Sequence, residues 1–345
     1  MEETYAPASG QPPQANDSVT LEDVARLAGV TAMTVSRTLK RPELVREETR
    51  RRVMDAVQAT GYVPNLLAGA LATNKSHLIA LLLPTIATSI FTDMVQSLMT
   101  TLAPAGYQTL LGLTDYLPER EEQLVGTLLG RRPDAIVLTG TEHSPLTRER
   151  LRRTKVPIVE IWDLTDDPID MLIGFSHEAV GIAVARHLLS KGYGRFAILT
   201  ADDPRGMRRS TSLIDELKRH DMDDVPMQVV PAPATLQTGR EGFVRLLDQG
   251  LPDVIVCSTD TLAQGILAEA AKRGIAIPRD VAVMGFGDLS TAAHVHPSLS
   301  TVRIDGASIG RLAAEALLGR LDAKQRAEPA LRVDTGFAII DRESA

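Results

Sequence analysis

The sequence predicts an α/β protein with a small three-helix head ahead of a larger two-lobed body of parallel sheets. Three observations carry that prediction. Residues 18–60 hold short stretches of helical periodicity separated by Gly and Pro. After Lys75, apolar strands alternate with amphipathic helices, the pattern of parallel sheets covered by helices on both faces. The charge is also partitioned. Residues 18–75 carry nine Lys/Arg against six Asp/Glu, while the whole chain has a net charge of −7. A basic head on an acidic body says more about partners than the total does.

The 345 residues suggest two or three domains. With 44% hydrophobic and 23% charged residues, a disordered or collagen-like chain is excluded. The longest apolar run, around Leu78–Pro84, is far short of the roughly 20 residues that cross a bilayer. No basic patch followed by an apolar stretch opens the chain, so neither a secretory signal nor a membrane partner is expected. Cys257 has no second cysteine to pair with, and a reducing cytoplasm fits.

Taken in order, residues 1–17 are rich in Pro, Ala and Gln and read as a disordered tail. Residues 18–60 form the head. Thr20 caps a first helix, with Asp23 completing a capping box and Leu21, Val24, Ala25 and Ala28 on one face. Gly29 ends it. Thr31 caps a second helix, Ala32–Leu39, and a third, about Glu47–Ala59, buries Val53, Ala56 and Val57. Residues 61–75 read as a hinge linker, with Asn65 placed to cap a short helix.

The body, residues 76–345, begins with strands Leu78–Leu83, Gln108–Leu113, Ala135–Leu138 and Ile158–Ile161, separated by helices Thr92–Ala103, Glu119–Leu129 and Thr147–Arg153. A second series has strands Phe196–Leu199, Met227–Val230, Val254–Cys257 and Val281–Gly285. Its helices are His177–Leu189, Arg208–Lys218, Gly239–Leu247 and Leu262–Lys272. That is too much for one open sheet, so two lobes are expected, with a ligand cleft at the carboxyl ends of their strands.

The stretch Thr20–Arg37 puts two short helices around a Gly turn, the pattern of a helix-turn-helix whose second helix enters the major groove. Val35 and Leu39 face inward. Ala32, Met33, Ser36 and Arg37 face outward. Thr31, Thr34 and Ser36 offer hydroxyls to phosphates, and Arg37 reaches a guanine or a phosphate.

A basic head, a Tyr-Val-Pro-Asn linker and a two-lobed body in this order resemble the LacI-type repressor family from Thr20 to about Ile340. The matching strings are Leu21-Glu-Asp-Val-Ala, Thr34-Val-Ser-Arg37, Gly61-Tyr-Val-Pro-Asn65 and Phe175-Ser-His-Glu178. Within the family the chain is most similar to the gluconate-utilisation repressors, through Thr31-Ala-Met-Thr-Val-Ser-Arg37, Ala105-Gly-Tyr-Gln-Thr109, Val156-Pro-Ile-Val-Glu160 and Met284-Gly-Phe-Gly287.

The resemblance implies a periplasmic-binding-protein-like body. Its first lobe would span about 76–174 plus 305–334, and its second about 175–304 plus 335–345. It implies a cytoplasmic homodimer on a pseudo-palindromic double-stranded operator, switched by a small sugar acid, with gluconate the leading candidate. It implies neither enzyme activity nor a cofactor. Alternatives are 2-ketogluconate, 6-phosphogluconate, a neutral sugar, or a sugar-binding protein without a regulatory role. The chain end, Gly336–Ala345, holds no heptad of the kind found in tetrameric members, hence the expected dimer.

The resemblance also assigns residues. Ala32 and Met33 fall at the base-reading pair, and both are apolar, so they can touch a thymine methyl but cannot hydrogen-bond a base edge. Arg46 and Thr49 fall at phosphate contacts, Thr20 among the DNA-binding residues, Tyr62 and Asn65 at linker anchors, and Ala68 and Leu71 in the hinge. Leu71 stands at the wedge that opens a central base step from the minor groove. For the effector, Asp163 falls at a hydroxyl acceptor and Arg209 at the effector-binding arginine, a natural partner for a carboxylate. Arg205 and Arg208 are its open alternatives. Thr259-Asp260 stands where the family has Asn-Asp, and Asp288 would serve where Gly287 replaces an acid. Phe91, Glu142 and His143 come from first-lobe strand ends, and Trp162 either faces the cleft or packs.

Phosphate-loop, dinucleotide and hydrolase-elbow motifs are absent from the sequence, which disfavours the usual nucleotide enzymes and hydrolases. His294-Val-His296 has no nearby Cys or acidic partner and precedes Pro297, so no metal site is expected.

Overall fold

Short helices need a terminal hydrogen-bond partner and a shared apolar face, and the N-terminal unit supplies both. The computed structural model describes residues 19–63, 75–87, 89–322 and 331–345. The 1–17 tail and hinge positions Asn65, Ala68 and Leu71 lie outside the described residues. The chain divides into two units, Met1–Asn74 and Lys75–Ala345.

In the first unit, α1 (Leu21–Ala28), α2 (Ala32–Lys40) and α3 (Glu47–Thr60) enclose Val24, Ala25, Ala28, Val35, Val53 and Ala56. Thr20 and Asp23 form the expected capping box, and Thr31 caps α2 by accepting from the Thr34 amide at 3.3 Å. Gly29 closes α1 at φ +62°, a conformation that glycine adopts without a Cβ clash. One inward position differs from expectation. Thr38, not Leu39, is the fully buried partner of Val35, because its hydroxyl is satisfied by the Thr34 carbonyl at 2.8 Å. Leu39, Ala32 and Tyr62 pack half-buried on the rim of this core.

The second unit is α/β with parallel sheets, as its alternating pattern predicts. Its strands are β1 (Leu78–Leu83), β2 (Gln108–Leu113), β3 (Ala135–Thr139), β4 (Ile158–Ile161), β5 (Met171–Gly174), β6 (Phe196–Ala201), β7 (Met227–Val230), β8 (Val254–Cys257), β9 (Ala282–Met284), β10 (Thr301–Arg303), β11 (Arg332–Asp334) and β12 (Ala338–Ile340). The first lobe carries a parallel sheet in the order β11-β5-β4-β3-β1-β2, and the second lobe one in the order β7-β6-β8-β9. β10 and β12 pair antiparallel as a separate ribbon.

The helices that follow the head are α4 (Thr92–Leu102), α5 (Pro118–Gly130), α6 (Pro145–Arg153), α7 (His177–Ser190), α8 (Pro204–Lys218), α9 (Leu236–Leu247), α10 (Asp260–Arg273) and α11 (Gly306–Leu321). The strand β5, the helix α11 and the strands β10 to β12 go beyond the periodicity reading. β5 has four residues and β10 to β12 three each, too few for a period to show. α11 is rich in Gly and Ala, which thins its apolar stripe but lets it lie close on α4. A Cβ on Gly310 would stand 2.2 Å from the Met94 carbonyl oxygen, so only glycine permits this approach.

Candidate functional site

The first candidate surface lies on the head. Met33 is 71% exposed at the start of α2, and Arg37, Lys40, Arg41 and Leu44 continue the exposed side past half-buried Ser36. These six residues line one shallow concavity, three of them cationic. The first turn of α2 carries no acid, so its N-terminal dipole is open to phosphate. Arg46 is exposed and Thr49 half-buried at the start of α3. Thr20 and Thr31 are both engaged as caps, and the Thr31 hydroxyl also meets that of Thr34 at 3.0 Å.

The second candidate is the cleft between the lobes of the body. About 580 Å³ of open space is bounded by the carboxyl ends of the first-lobe strands and by the start of α8. Asp163, Glu142, Glu121 and Thr141 stand on the first-lobe wall, with Tyr116 beside them, while Arg205 comes from α8. α8 begins at Pro204, four residues before the sequence pattern places it. Asp203 caps it by accepting from the Gly206 amide at 2.9 Å. This early start puts Arg205 in the first helical turn, with Arg208 one turn on, and both reach the opposite lobe. Arg205 donates to the Thr139 carbonyl at 3.2 Å.

Arg208 bridges the lobes. It contacts Asp163 through Nη2, lies 3.5 Å from Glu142 through Nε, and meets Glu178 at 3.4 Å through Nη1. Its buried Nε makes no hydrogen bond among the described residues. Burial pushes the Asp163 carboxyl up, and the Arg208 charge opposes that. The Tyr116 phenol is pushed up to about 12, chiefly by burial. Asp115 and Tyr116 after β2, Trp162 after β4 and Asp288 after β9 all sit at positive φ, so strained backbone gathers at these strand ends.

The other predicted effector residues are buried or already paired. Phe91 is buried, with the Arg205 guanidinium 5.8 Å over its ring, and packs edge to face on buried Trp162 at 5.1 Å, which packs again on Phe175 at 5.9 Å. Arg209 faces the second lobe. It donates to the Ser258 carbonyl and to His177 Nδ1, each at 2.9 Å, and stacks on Phe286 with its guanidinium 3.7 Å from the ring centre. Burial draws it down to about 10. Since His177 Nε2 donates to the Trp162 carbonyl at 3.1 Å, its Nδ1 is left to accept from Arg209. Burial and the three nearby arginines hold this imidazole well below its usual range, as that neutral tautomer requires.

Four expectations need correction on position. His143 is fully buried at its side chain and lies between Glu121 and Glu160, away from the cleft. Asp260 is 0% exposed, accepting from Thr301 Oγ1 at 2.6 Å and from the Leu289 amide at 2.7 Å, so it ties β10 and the loop after β9 to α10. Thr259 is spent as the cap of α10, accepting from the Leu262 amide at 3.2 Å. The Asp288 carboxylate is taken by Arg303 at 2.6 Å and Arg342 at 2.7 Å. In each case, an internal partner reached the polar group at the strand end first. Reading one residue at a time could not foresee such pairings. Tyr116, Thr141 and Glu121 are polar cleft residues that the sequence left unnamed. Only their position at strand and helix ends marked them. Among the described residues, no group of three or more metal-ligating side chains forms.

Comparison with known proteins agrees with this geometry. A model described as bacterial regulatory proteins of the lacI family matches residues 20–65, and a periplasmic binding protein-like domain matches residues 185–345. The HTH-type transcriptional regulator GntR of Pseudomonas aeruginosa is 36% identical over 328 residues, covering 94% of this chain and 95% of the relative. IdnR of Escherichia coli K12, also an HTH-type transcriptional regulator, is 30% identical and covers 94% and 98%. A solved structure of a LacI-family transcriptional regulator from Silicibacter pomeroyi superposes with a TM-score of 0.88 at 32% identity, covering 94% of this chain and 99% of that one.

Proposed function

The chain belongs to the LacI family of DNA-binding transcriptional regulators, and from that premise we propose a repressor whose hold on operator DNA is switched by gluconate in the interlobe cleft. The observation that carries the effector reading is Arg208. A buried guanidinium Nε without a hydrogen-bond acceptor lies beside a cleft whose other cation is Arg205. Two guanidinia at one helix start suit a carboxylate, and Asp163 opposite them suits sugar hydroxyls. Arg209, held by His177 and Ser258, supports the wall behind them. A neutral sugar would offer that donor only an uncharged hydroxyl oxygen, a weaker partner for a guanidinium than a carboxylate.

Ligand entry would replace the interlobe contact of Arg208 with Glu142, which favours a different arrangement of the lobes. Such a ligand shifts DNA affinity only as far as it binds one arrangement better, and the coupling is reciprocal. On DNA, the exposed side of α2 would enter the major groove, with Arg37 as the polar reader and Ala32 and Met33 against thymine methyls. Thr20, Thr31, Thr34, Ser36, Arg46 and Thr49 would hold phosphates, and Tyr62, Asn65, Ala68 and Leu71 the hinge. One head is small, so a homodimer on a pseudo-palindromic operator, in the cytoplasm and without enzymatic activity, completes the reading. Exposed Met99 on α4 and Leu111 on edge strand β2 are compatible with a partner on the first lobe.

The test is calorimetric titration with gluconate, 2-ketogluconate, 6-phosphogluconate and neutral hexoses, alongside operator binding by fluorescence anisotropy with and without each ligand. Binding of one sugar acid that also changes operator affinity supports the proposal. Binding of neutral sugars alone overturns the sugar-acid part.

A further inference from the structure

Behind the first-lobe wall of the cleft lies a buried ion cluster that the reading above does not use. Glu160 on β4 is 0% exposed, and its Oε2 accepts from the Ile169 amide at 2.5 Å. His143, just after β3, places Nδ1 2.7 Å from Glu121 Oε1 and Nε2 3.4 Å from Glu160 Oε1. The second separation is an ion contact; only the first is a well-formed hydrogen bond. Arg148 stands farther off, 3.9 Å from Glu160. Two neighbouring carboxylates in this setting need a cation between them, and His143 is placed to be that cation. Burial alone would lower the imidazole, but bonds and charges from both carboxylates outweigh it and raise it to about 9.

Glu121 differs from Glu160 because it also lines the cleft. His143 fixes its Oε1. Its Oε2 takes no hydrogen bond among the described residues and keeps some solvent exposure. The cleft therefore has two chemically unlike walls. Guanidinia enter from α8, and the carboxylates of Glu121, Glu142 and Asp163 stand on the first lobe. A ligand that gives its own carboxylate to the guanidinia leaves its hydroxyl tail facing the acids. Hydroxyls donate to carboxylates. A phosphate tail brings close to two negative charges, which a fixed carboxylate repels.

We propose that Glu121, pinned by the His143 ring, is a specificity-determining contact that accepts a hydroxyl of an unphosphorylated polyhydroxy acid and excludes the phosphorylated form. This rests on the sugar-acid reading of the cleft. His143 acts through Glu121 and is a positioning residue.

The test is calorimetric titration of the full-length protein, its Glu121→Gln variant and its His143→Gln variant with gluconate, 6-phosphogluconate and glucose. The wild type should prefer gluconate over 6-phosphogluconate by at least about tenfold. Glu121→Gln should weaken gluconate about tenfold and leave 6-phosphogluconate unchanged or tighter, so that the preference collapses toward one. His143→Gln should narrow the same ratio, an effect that loss of stability alone does not produce. Should His143→Gln fail to fold, Glu121→Gln still decides, since its amide oxygen can accept the His143 bond. An unchanged ratio in Glu121→Gln, or a wild type that prefers 6-phosphogluconate, overturns the role of Glu121 while leaving the sugar-acid reading intact. Binding of glucose with neither acid overturns both.

Discussion

Deprotonating His143 should destabilise the body, and the structure sets the pH range and the size. The imidazole rises from 6.5 to about 9 in the folded chain, because Glu121 and Glu160 more than offset its burial. A raised folded pKa means stability that is fully present below about 6.5 and lost as pH climbs through about 9. The span is about 2.5 units, or at most about 3.4 kcal/mol. By linkage, about 2 kcal/mol of it remains at pH 7.5 and almost none at pH 10. Trp162 is the only tryptophan, is buried in the body beside the cleft, and reports unfolding in urea by its fluorescence. Comparing the wild type with His143→Gln at pH 7.5 and 10 cancels the other groups that titrate in this range. The wild type should lose about 2 kcal/mol more than the variant. Equal losses would refute the buried imidazolium, as would a His143 ring resonance that titrates near its ordinary value.

Three further outcomes are expected. Gly310→Ala should cost about 1–3 kcal/mol in thermal or urea unfolding, because the added methyl meets the Met94 carbonyl on α4. Arg208→Gln should lower gluconate affinity by about tenfold or more in calorimetry, and unchanged affinity would move the carboxylate site away from α8. Leu71→Ala should weaken specific operator binding far more than non-specific binding in anisotropy titrations, and an equal loss in both would remove its role as a minor-groove wedge.

Local chemistry made much of this protein legible from sequence. Thr20 with Asp23, Thr31 and Gly29 are cap residues whose partners lie within a few positions, so the head could be read directly. The strand and helix alternation after Lys75 likewise reflects faces that each element must bury. At α8 the same reasoning stopped short, since Pro204 and Arg205 belong to a first turn fixed by Asp203 and not by an apolar stripe.

The residue sequence by itself determined the helix-turn-helix, the parallel α/β body and the presence of three arginines near one strand end, because propensity, capping and periodicity act over a few residues. Tertiary structure decided which polar groups face the cleft. Asp260 and Asp288 meet Thr301, Arg303 and Arg342, and His143 meets Glu121 and Glu160, all across 15 or more residues of chain. A buried charge takes whatever partner the fold brings within reach, and chain folding, not local spacing, chooses that partner.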